Sequence, residues 1–554
     1  MAKSYRPVDR DQLFLLPVDM REWLPGDHLV WFLIAAVERM DTSAFDVKAK
    51  LGGVGRRGYD PQMLLTLFIY AMAQGESSSR RIERLCHTDV AFRVICAQDV
   101  PDHTVLARFR QRHQEALTAM LTESLVLAAE LGMVSLGVVA LDGTKIAANA
   151  SKDANRGEAR LRELAEDYLG QVGAADAAED ALFGADKGGD ELPQAVGDRT
   201  DRPGRIDRAL EQIAARRDGS RARQQERARE YENAAADGAT KPGKAPQGVD
   251  WVQVTRTRWE RLRAQAAARY EAYQVDVAAG VSRNGRPPLH PDENSKVRRA
   301  WQEYQEALAG DAAKTADVPT GAGAGRGPDE RSGRQRATTE QKTQAGTPGR
   351  ACANVTDPDS RLQKTRNGWI QGMNCQTCTS EDVFILGARA TQDTNDIGQF
   401  LPTKDALEAT MTQVAARAGR ADLGQIGTMI ADAGYDSQEN LTAAGPDRLI
   451  ANSKGRHIEA RAAVDPAAGV PPEEATARAR MNHRLRTPEG LGLYRRRSHM
   501  VETPNAWLKD RRGLRQFSRR GLSAVQAELS LAAAVTNLLR LVTKGVSTAQ
   551  LQAA

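Results

Sequence analysis

The sequence predicts a mixed α/β protein, with an all-helical N-terminal part ahead of a sheet-centred core and a largely helical insertion interrupting that core. Three observations carry the prediction. Up to about residue 125, apolar positions recur at steps of three and four, the period of amphipathic helices. Two short, apolar, β-rich runs lie far apart, at 136–141 and 426–431, and each is followed by an aspartate. Between them, residues 155–352 are rich in Ala, Arg, Glu, Asp and Gln, a composition suited to exposed helices.

The N-terminal part, residues 1–125, contains the apolar run MLLTLFIYAMA at 63–73 and helix-like stretches at 77–84 and 90–96. Pro101-Asp102-His103-Thr104 precedes VLARFRQR at 105–112, and a small polar residue before a periodic run marks a helix start. That helix carries Arg108, Arg110 and Arg112. This part therefore reads either as a DNA-binding helix-turn-helix or as a helical bundle with a solvated basic face. Residues 126–154 open the core, and the run LGVVAL at 136–141 leads into Asp142-Gly143-Thr144, a strand closing on an acid and a turn.

Residues 155–352 read as an insertion, with helical stretches at 156–182, 203–234, 250–277 and 295–309 and a Gly-rich linker at 310–349. Residues 353–520 return to α/β patterning. Strands are expected at 368–377, 383–390, 426–431 and 448–451, and helices at 403–418 and 438–444. A long apolar-faced helix, 522–544, occupies the C-terminal part, residues 521–554.

Of the 554 residues, 77 are Lys or Arg and 72 are Asp or Glu, a net charge of +5. The chain is not a polybasic tail protein, and a nucleic-acid surface has to come from local clustering. The longest apolar run, 63–73, is shorter than the ~20 residues that span a bilayer. Residues 1–17 show no apolar stretch ahead of a small-residue cleavage site. Neither a membrane span nor a signal peptide is expected. Five cysteines do not make a disulfide scaffold and fit a reducing, cytoplasmic compartment.

Asp142 and Asp432 stand at matching strand ends, and carboxylates at the ends of adjacent strands point into one space. Hard oxygen donors in that arrangement suit Mg²⁺. Two such ions ~3.5–4 Å apart promote phosphodiester displacement. A third carboxylate is then expected beside positive charge. Residues 481–520 hold eleven Arg or Lys against Glu489, Glu502 and Asp510, so this stretch alone is +8. Clustered positive charge is the footprint of nucleic-acid binding. Glu502 sits within it, and Lys509, seven residues on, shares its helical face if the helix is regular. Pro504 fits the first turn of a helix and would kink an interior.

These segments resemble the DDE transposases of bacterial insertion sequences. VVALDGTKI at 138–146 resembles their first-aspartate segment, and IADAGYDS at 430–437 the second. LYRRRSHMVETPNAWLKDRRGLRQFSRRGL at 493–522 resembles the Tyr-Arg-Glu-Lys signature around the catalytic glutamate. TDPDSRLQKTRNGWIQGMNCQ at 356–376 is similar to the strand region between the aspartates, and residues 59–110 to the N-terminal helical domain. The resemblance covers the chain outside the insertion. It implies a ribonuclease-H-like core in which Asp142, Asp432 and Glu502 are catalytic and bind two Mg²⁺, with Mn²⁺ as a substitute. It implies DNA contacts from Tyr494, Arg497 and Lys509, with Arg496 and Arg495 as neighbouring candidates because Arg497 stands one residue further from Glu502 than is usual. With Arg108 and Arg110 these form the expected DNA-binding set.

The expected function is end binding, cleavage and joining of the element's 3′-ends to target DNA. The partners are double-stranded DNA and a second copy of the chain, with no membrane, in a bacterial cytoplasm at the nucleoid. Two alternatives stay open: an inactive or domesticated DNA-binding protein, and a metal-dependent nuclease without strand transfer.

Other residues have plainer readings. Cys375 and Cys378 lack a second zinc pair, and a strand turns positions i and i+3 to opposite faces. Cys86, His87 and Cys96 read as packing and surface residues. His103 and His499 are candidate phosphate contacts or ordinary helix residues. Asp436 competes with Asp432 as ligand or caps the following helix. Asp357 and Asp359 read as turn residues, and Lys145 and Lys364 as DNA contacts or surface charge.

Overall fold

The computed structural model describes residues 19–48, 58–167, 202–236, 245–281, 286–316 and 351–553. The Gly-rich linker expected at 310–349 and the latter half of the helix expected at 156–182 lie largely outside them. The chain forms two compact units. The first takes in Met1–Arg156, Leu164–Ala209 and Ala353–Ala554, and the second Gly157–Glu163 and Leu210–Cys352.

Among the described residues of the first unit, six α-helices precede the sheet: α1 (Leu29–Arg39), α2 (Pro61–Ala73), α3 (Ser79–Thr88), α4 (Val90–Ile95), α5 (His103–Arg112) and α6 (Gln114–Glu130). Their starts follow from local chemistry. Asp60, Asp89 and Asp102 each accept hydrogen bonds from backbone N–H groups in the first turns of α2, α4 and α5. Strand β1 (Val138–Ala147) follows. It does not close in a turn at Asp142-Gly143. It runs on to Ala147, because Asp142, Gly143 and Thr144 pair with Thr377, Gln376 and Cys375. The local Asp-Gly turn preference yields to this long-range pairing.

Helix α7 (Arg202–Ala236) crosses from the first unit into the second. Helices α8 (Trp251–Ala278) and α9 (Ser295–Ala316) lie wholly in the second unit. There Trp259 packs against Trp301 at 4.7 Å and stacks on Tyr304, and Arg258 pairs with Glu303 at 2.7 Å.

Back in the first unit come β2 (Arg361–Thr365), β3 (Gly368–Ser380), β4 (Ile385–Thr391), α10 (Phe400–Ala418), β5 (Thr428–Ala431), α11 (Gln438–Thr442) and β6 (Asp447–Ile450). Helices α12 (Gly455–Val464), α13 (Ala477–Arg484), α14 (Pro488–Ala506), α15 (Leu522–Thr543) and α16 (Thr548–Ala553) complete it. The sheet is mixed. β3 pairs antiparallel with β1 on one side and with β2 and β4 on the other, while β5 and then β6 add parallel beyond β1.

The strands sort their side chains by the two-residue period. Val139, Leu141, Met429, Ala431 and Ile450 join the larger core with α2, α6, α10 and α15. Val138, Ala140, Ile430 and Leu449 join a smaller core under α12 and α14, with Ile458, Met500 and Val501. The N-terminal helices contribute to that larger core, so helices and sheet share one interior. By length and composition α15 could cross a membrane, an outcome the 63–73 run did not foreshadow, yet most of it is buried in this unit.

Candidate active site

The site begins where β5 stops. Its pairing with β1 ends at Leu141–Ala431, so Asp142 and Asp432 are the next residues on two adjacent parallel strands. β1 next pairs on that edge only at the bridge from Ala147 to Gln516, which leaves a notch along 143–146. Asp142 continues the face of Val138 and Ala140, toward α14. Asp432 opens a short turn, and its Oδ1 accepts from Gly434 N–H at 2.9 Å.

Helix α14 brings Arg497 over this notch. Its Nη2 lies 2.7 Å from Asp142 Oδ1 and 3.6 Å from Asp432 Oδ2. Asp142 is 22% and Arg497 14% exposed, whereas Asp432 is 41% exposed. Desolvation therefore falls chiefly on Asp142. Burial pushes its carboxyl up to about 6, against the opposing pull of Arg497, and neighbouring Asp432 adds to the rise. The three consecutive arginines part company: Arg495 pairs with Glu459 at 2.9 Å, Arg496 with Glu381, and Arg497 alone with the aspartates.

The same helix carries Pro504 in its interior, which the sequence allowed only as a first-turn residue or a kink. A proline has no N–H for the carbonyl four residues back. That carbonyl, Met500 O, instead accepts from Thr379 Oγ1 on β3 at 2.8 Å. The chain then widens into a π-turn, Trp507–Arg511. Regular helical register between Glu502 and Lys509 is lost at Trp507, so their spacing alone no longer sets a shared face. Glu502 is exposed, and no hydrogen bond or ion pair joins it to Asp142, Asp432 or Arg497. Lys509 is partly buried near Cys375, and burial lowers its pKa. Tyr494, also partly buried, has its hydroxyl pushed upward by burial, with Arg497 nearby opposing.

Other expected residues fall elsewhere. Arg108 is exposed, but Arg110 turns inward. Its guanidinium donates to Ser77 O and Ser79 Oγ and lies over the Phe68 ring at 5.1 Å. The three arginines of α5 therefore do not line one solvated face. His103 pairs with Glu83 at 2.8 Å and approaches Asp102, the cap of α5. The ligand atoms of these three metal-ligating types lie within 4.8 Å of one another. His499 is exposed and close to Thr503. Asp436 does not cap α11. Ser437 does, and Asp436 pairs with Arg478. Cys375 and Cys378 are fully buried, and burial pushes both thiols up to about 12. Cys86 and Cys96 are buried as well. Asp357 and Asp359 receive the N–H groups of Gly521 and Leu522, where α15 starts.

One residue at the notch was absent from the sequence reading. Asp396, in the loop after β4, approaches Gly143 so closely that a Cβ there would collide with its Oδ1. The same oxygen accepts from Asn374 Nδ2 and Gln376 Nε2, each at 2.8 Å, and lies 3.7 Å from Lys145 Nζ. Lys145, read from the sequence as a DNA contact or surface charge, is thus held on the protein, and also donates to Thr394 O. The visible sign was a glycine within two residues after each aspartate, Gly143 and Gly434, since such glycines admit a close neighbour. The sign does not name the neighbour.

With this geometry in view, two family models match the chain. A transposase domain (DUF772) covers residues 18–112, the helices α1–α5. A transposase DDE domain covers residues 467–542, from ahead of α13 almost to the end of α15 and including Arg497, Glu502 and Lys509. No curated protein and no solved structure matches. The two matched domains, one towards each end of the chain, are both transposase domains and support a DDE transposase of an insertion sequence.

Proposed function

We propose that the chain binds the terminal inverted repeats of its own element, cleaves DNA at the element ends with two divalent ions, and joins the freed 3′-ends to target DNA. The carrying observation is the pair Asp142 and Asp432 on neighbouring parallel strand ends, bridged by Arg497. The order of the strands, β1 to β4 paired antiparallel through β3 and then β5 and β6 parallel beyond β1, supports the ribonuclease-H-like reading of the core. Mg²⁺ is the expected ion and Mn²⁺ its substitute, and the working form is a homodimer assembled on DNA.

The residues fit a hard cation. The donors are carboxylate oxygens, and the missing side chain at Gly143 lets a further carboxylate, that of Asp396, come close to Asp142. Asp142 and Asp432 would hold the ions, with Glu502 of α14 as the third acid that the family resemblance assigns. When bound, the ions favour the deprotonated nucleophile, first water and then a 3′-hydroxyl, and take up charge on the phosphate. The rest falls to the chain. Arg497 neutralises the two aspartates and is released toward a phosphate oxygen when other positive charge arrives. Tyr494, half-buried near Arg497, and Lys509, half-buried near Cys375, present a hydroxyl and a cation to the backbone near the cut. Arg108 on α5 is available for contacts to the element end.

The test uses a supercoiled plasmid carrying the DNA that flanks the gene, with purified protein, with and without Mg²⁺. Metal-dependent breaks at defined flanking positions are expected, followed by joined products. Asp142→Asn should abolish the breaks and leave end binding nearly intact. Binding without breaks in any divalent ion would favour the inactive DNA-binding alternative, and breaks without joined products the simple nuclease.

A further inference from the structure

We propose that Asp396 is a further metal-binding carboxylate of the active site, reaching the notch from the sheet face opposite α14. The inference rests on the metal-dependent reading of Asp142 and Asp432. Three independent features point the same way. The first is the position of Asp396. Gly143 follows Asp142, and its missing side chain leaves the space that Asp396 Oδ1 takes; Asp396 Oδ2 stands 3.7 Å from where a Cβ on Gly434 would lie, two residues past Asp432. Both aspartates are thus followed by glycines that face Asp396.

The second feature is how the carboxylate is held. Its Oδ1 takes two amide donors from β3, Asn374 and Gln376, with Lys145 nearby. Gln376 is in turn fixed by the hydroxyl of Tyr435, which donates to its Oε1. Metal-ligating carboxylates are commonly held by outer partners of this kind, which fix one oxygen and leave the other to the ion. A carboxylate needed only as a partner for Lys145 would not require two buried amides. Glu502, by contrast, is exposed and held by nothing near the aspartates.

The third feature is an orphan. Asn374 is fully buried, and its Oδ1 has no hydrogen-bond partner. A buried amide oxygen left unpaired is costly. A water on a hydrated divalent ion beside Asp396 supplies the missing donor, since Mg²⁺ keeps several of its waters.

The experiment is a Mn²⁺ titration of the full-length protein, followed by calorimetry and by the paramagnetic signal of free Mn²⁺, on wild type, Asp396→Asn and Asp142→Asn. Each variant should bind Mn²⁺ at least about tenfold more weakly than wild type. Wild-type affinity in Asp396→Asn, with loss in Asp142→Asn, overturns the role of Asp396 alone. Wild-type affinity in both overturns the metal reading on which it rests. A measurement without substitution guards against a misfolded variant. Fe²⁺ in place of Mg²⁺, with ascorbate and peroxide, cuts backbone beside the bound ion. Cuts are expected near residues 143, 396 and 434. Cuts near 143 and 434 without one near 396 would count against the proposal.

Discussion

At the scale of single residues, the site is a balance between Arg497 and two acids. Removing the cation by Arg497→Met leaves Asp142 and Asp432 facing each other with the nearer one buried. Breaking a fully buried pair costs ~3–5 kcal/mol, and this pair is partly exposed, so about 2–3 kcal/mol is expected at pH 8. Divalent ions should restore much of it, read as a Mg²⁺-dependent rise in melting temperature larger than that of wild type. An equal rise in both proteins would separate Arg497 from the ion site. The pH dependence follows from Asp142, whose carboxyl is raised to about 6 from 3.8. A raised pKa stabilises the fold fully below the unfolded value, and that stabilisation is lost as pH climbs through about 6. Asp142→Asn, neutral at every pH, should therefore match wild type near pH 4 and exceed it by up to roughly 3 kcal/mol at pH 8, at about 1.4 kcal/mol for each pKa unit. Urea unfolding at the two pH values measures this, and a variant weaker than wild type at pH 8 would show that the Arg497 pair outweighs desolvation. Asp142 and Asp432 were legible because an apolar run followed by an acid is a local pattern. Asp396 was not, since QDTNDIGQF is an ordinary polar loop until Gly143, far away in sequence, comes to lie beneath it.

At the scale of elements, the strands and helices were largely readable from period and composition, while their interruptions were not. β1 and β5 have the apolar patterns expected of them, yet the continuation of β1 past Asp142 depends on β3 lying alongside. Helix α14 is the sharper case. Pro504 marks a break in any local reading, but tertiary structure absorbs it, because Thr379 takes over the Met500 carbonyl. Thr379→Val should leave that carbonyl unpaired and cost about 1–3 kcal/mol. Pro504→Ala restores an N–H in the helix, so the cost of Thr379→Val should shrink in that background. A double-mutant cycle by chemical denaturation reads the coupling. Strictly additive losses would mean that Thr379 acts by packing alone. The π-turn after α14 is a second interruption, and it falls between Glu502 and Lys509, whose expected register assumed a regular helix.

At the scale of the whole molecule, the first unit is assembled from segments far apart in the chain. The sheet joins β1 to β3 and β5 across more than two hundred residues, so its order could not be read from any window of sequence. The points at which the chain first leaves this unit, after Arg156, and last returns to it, at Ala353, are neighbours. Val355 N–H donates to Ala154 O at 3.1 Å, and Asn354 Nδ2 donates to Ser151 O at 2.8 Å. Such closely spaced ends are those at which inserted segments can be removed with little strain. Replacing residues 157–352, which are the whole second unit together with Leu164–Ala209 of the first, by a short Gly-Ser linker should therefore leave a protein that unfolds cooperatively and still binds Mn²⁺, because Asp142, Asp396, Asp432 and Arg497 all remain. Calorimetry and the Mn²⁺ titration test both points. Loss of cooperative unfolding would show that the removed segment supports the core. Retained Mn²⁺ binding and end cleavage, with loss of end joining, would instead confine the insertion's role to bringing a second DNA or a second copy of the chain to an intact site.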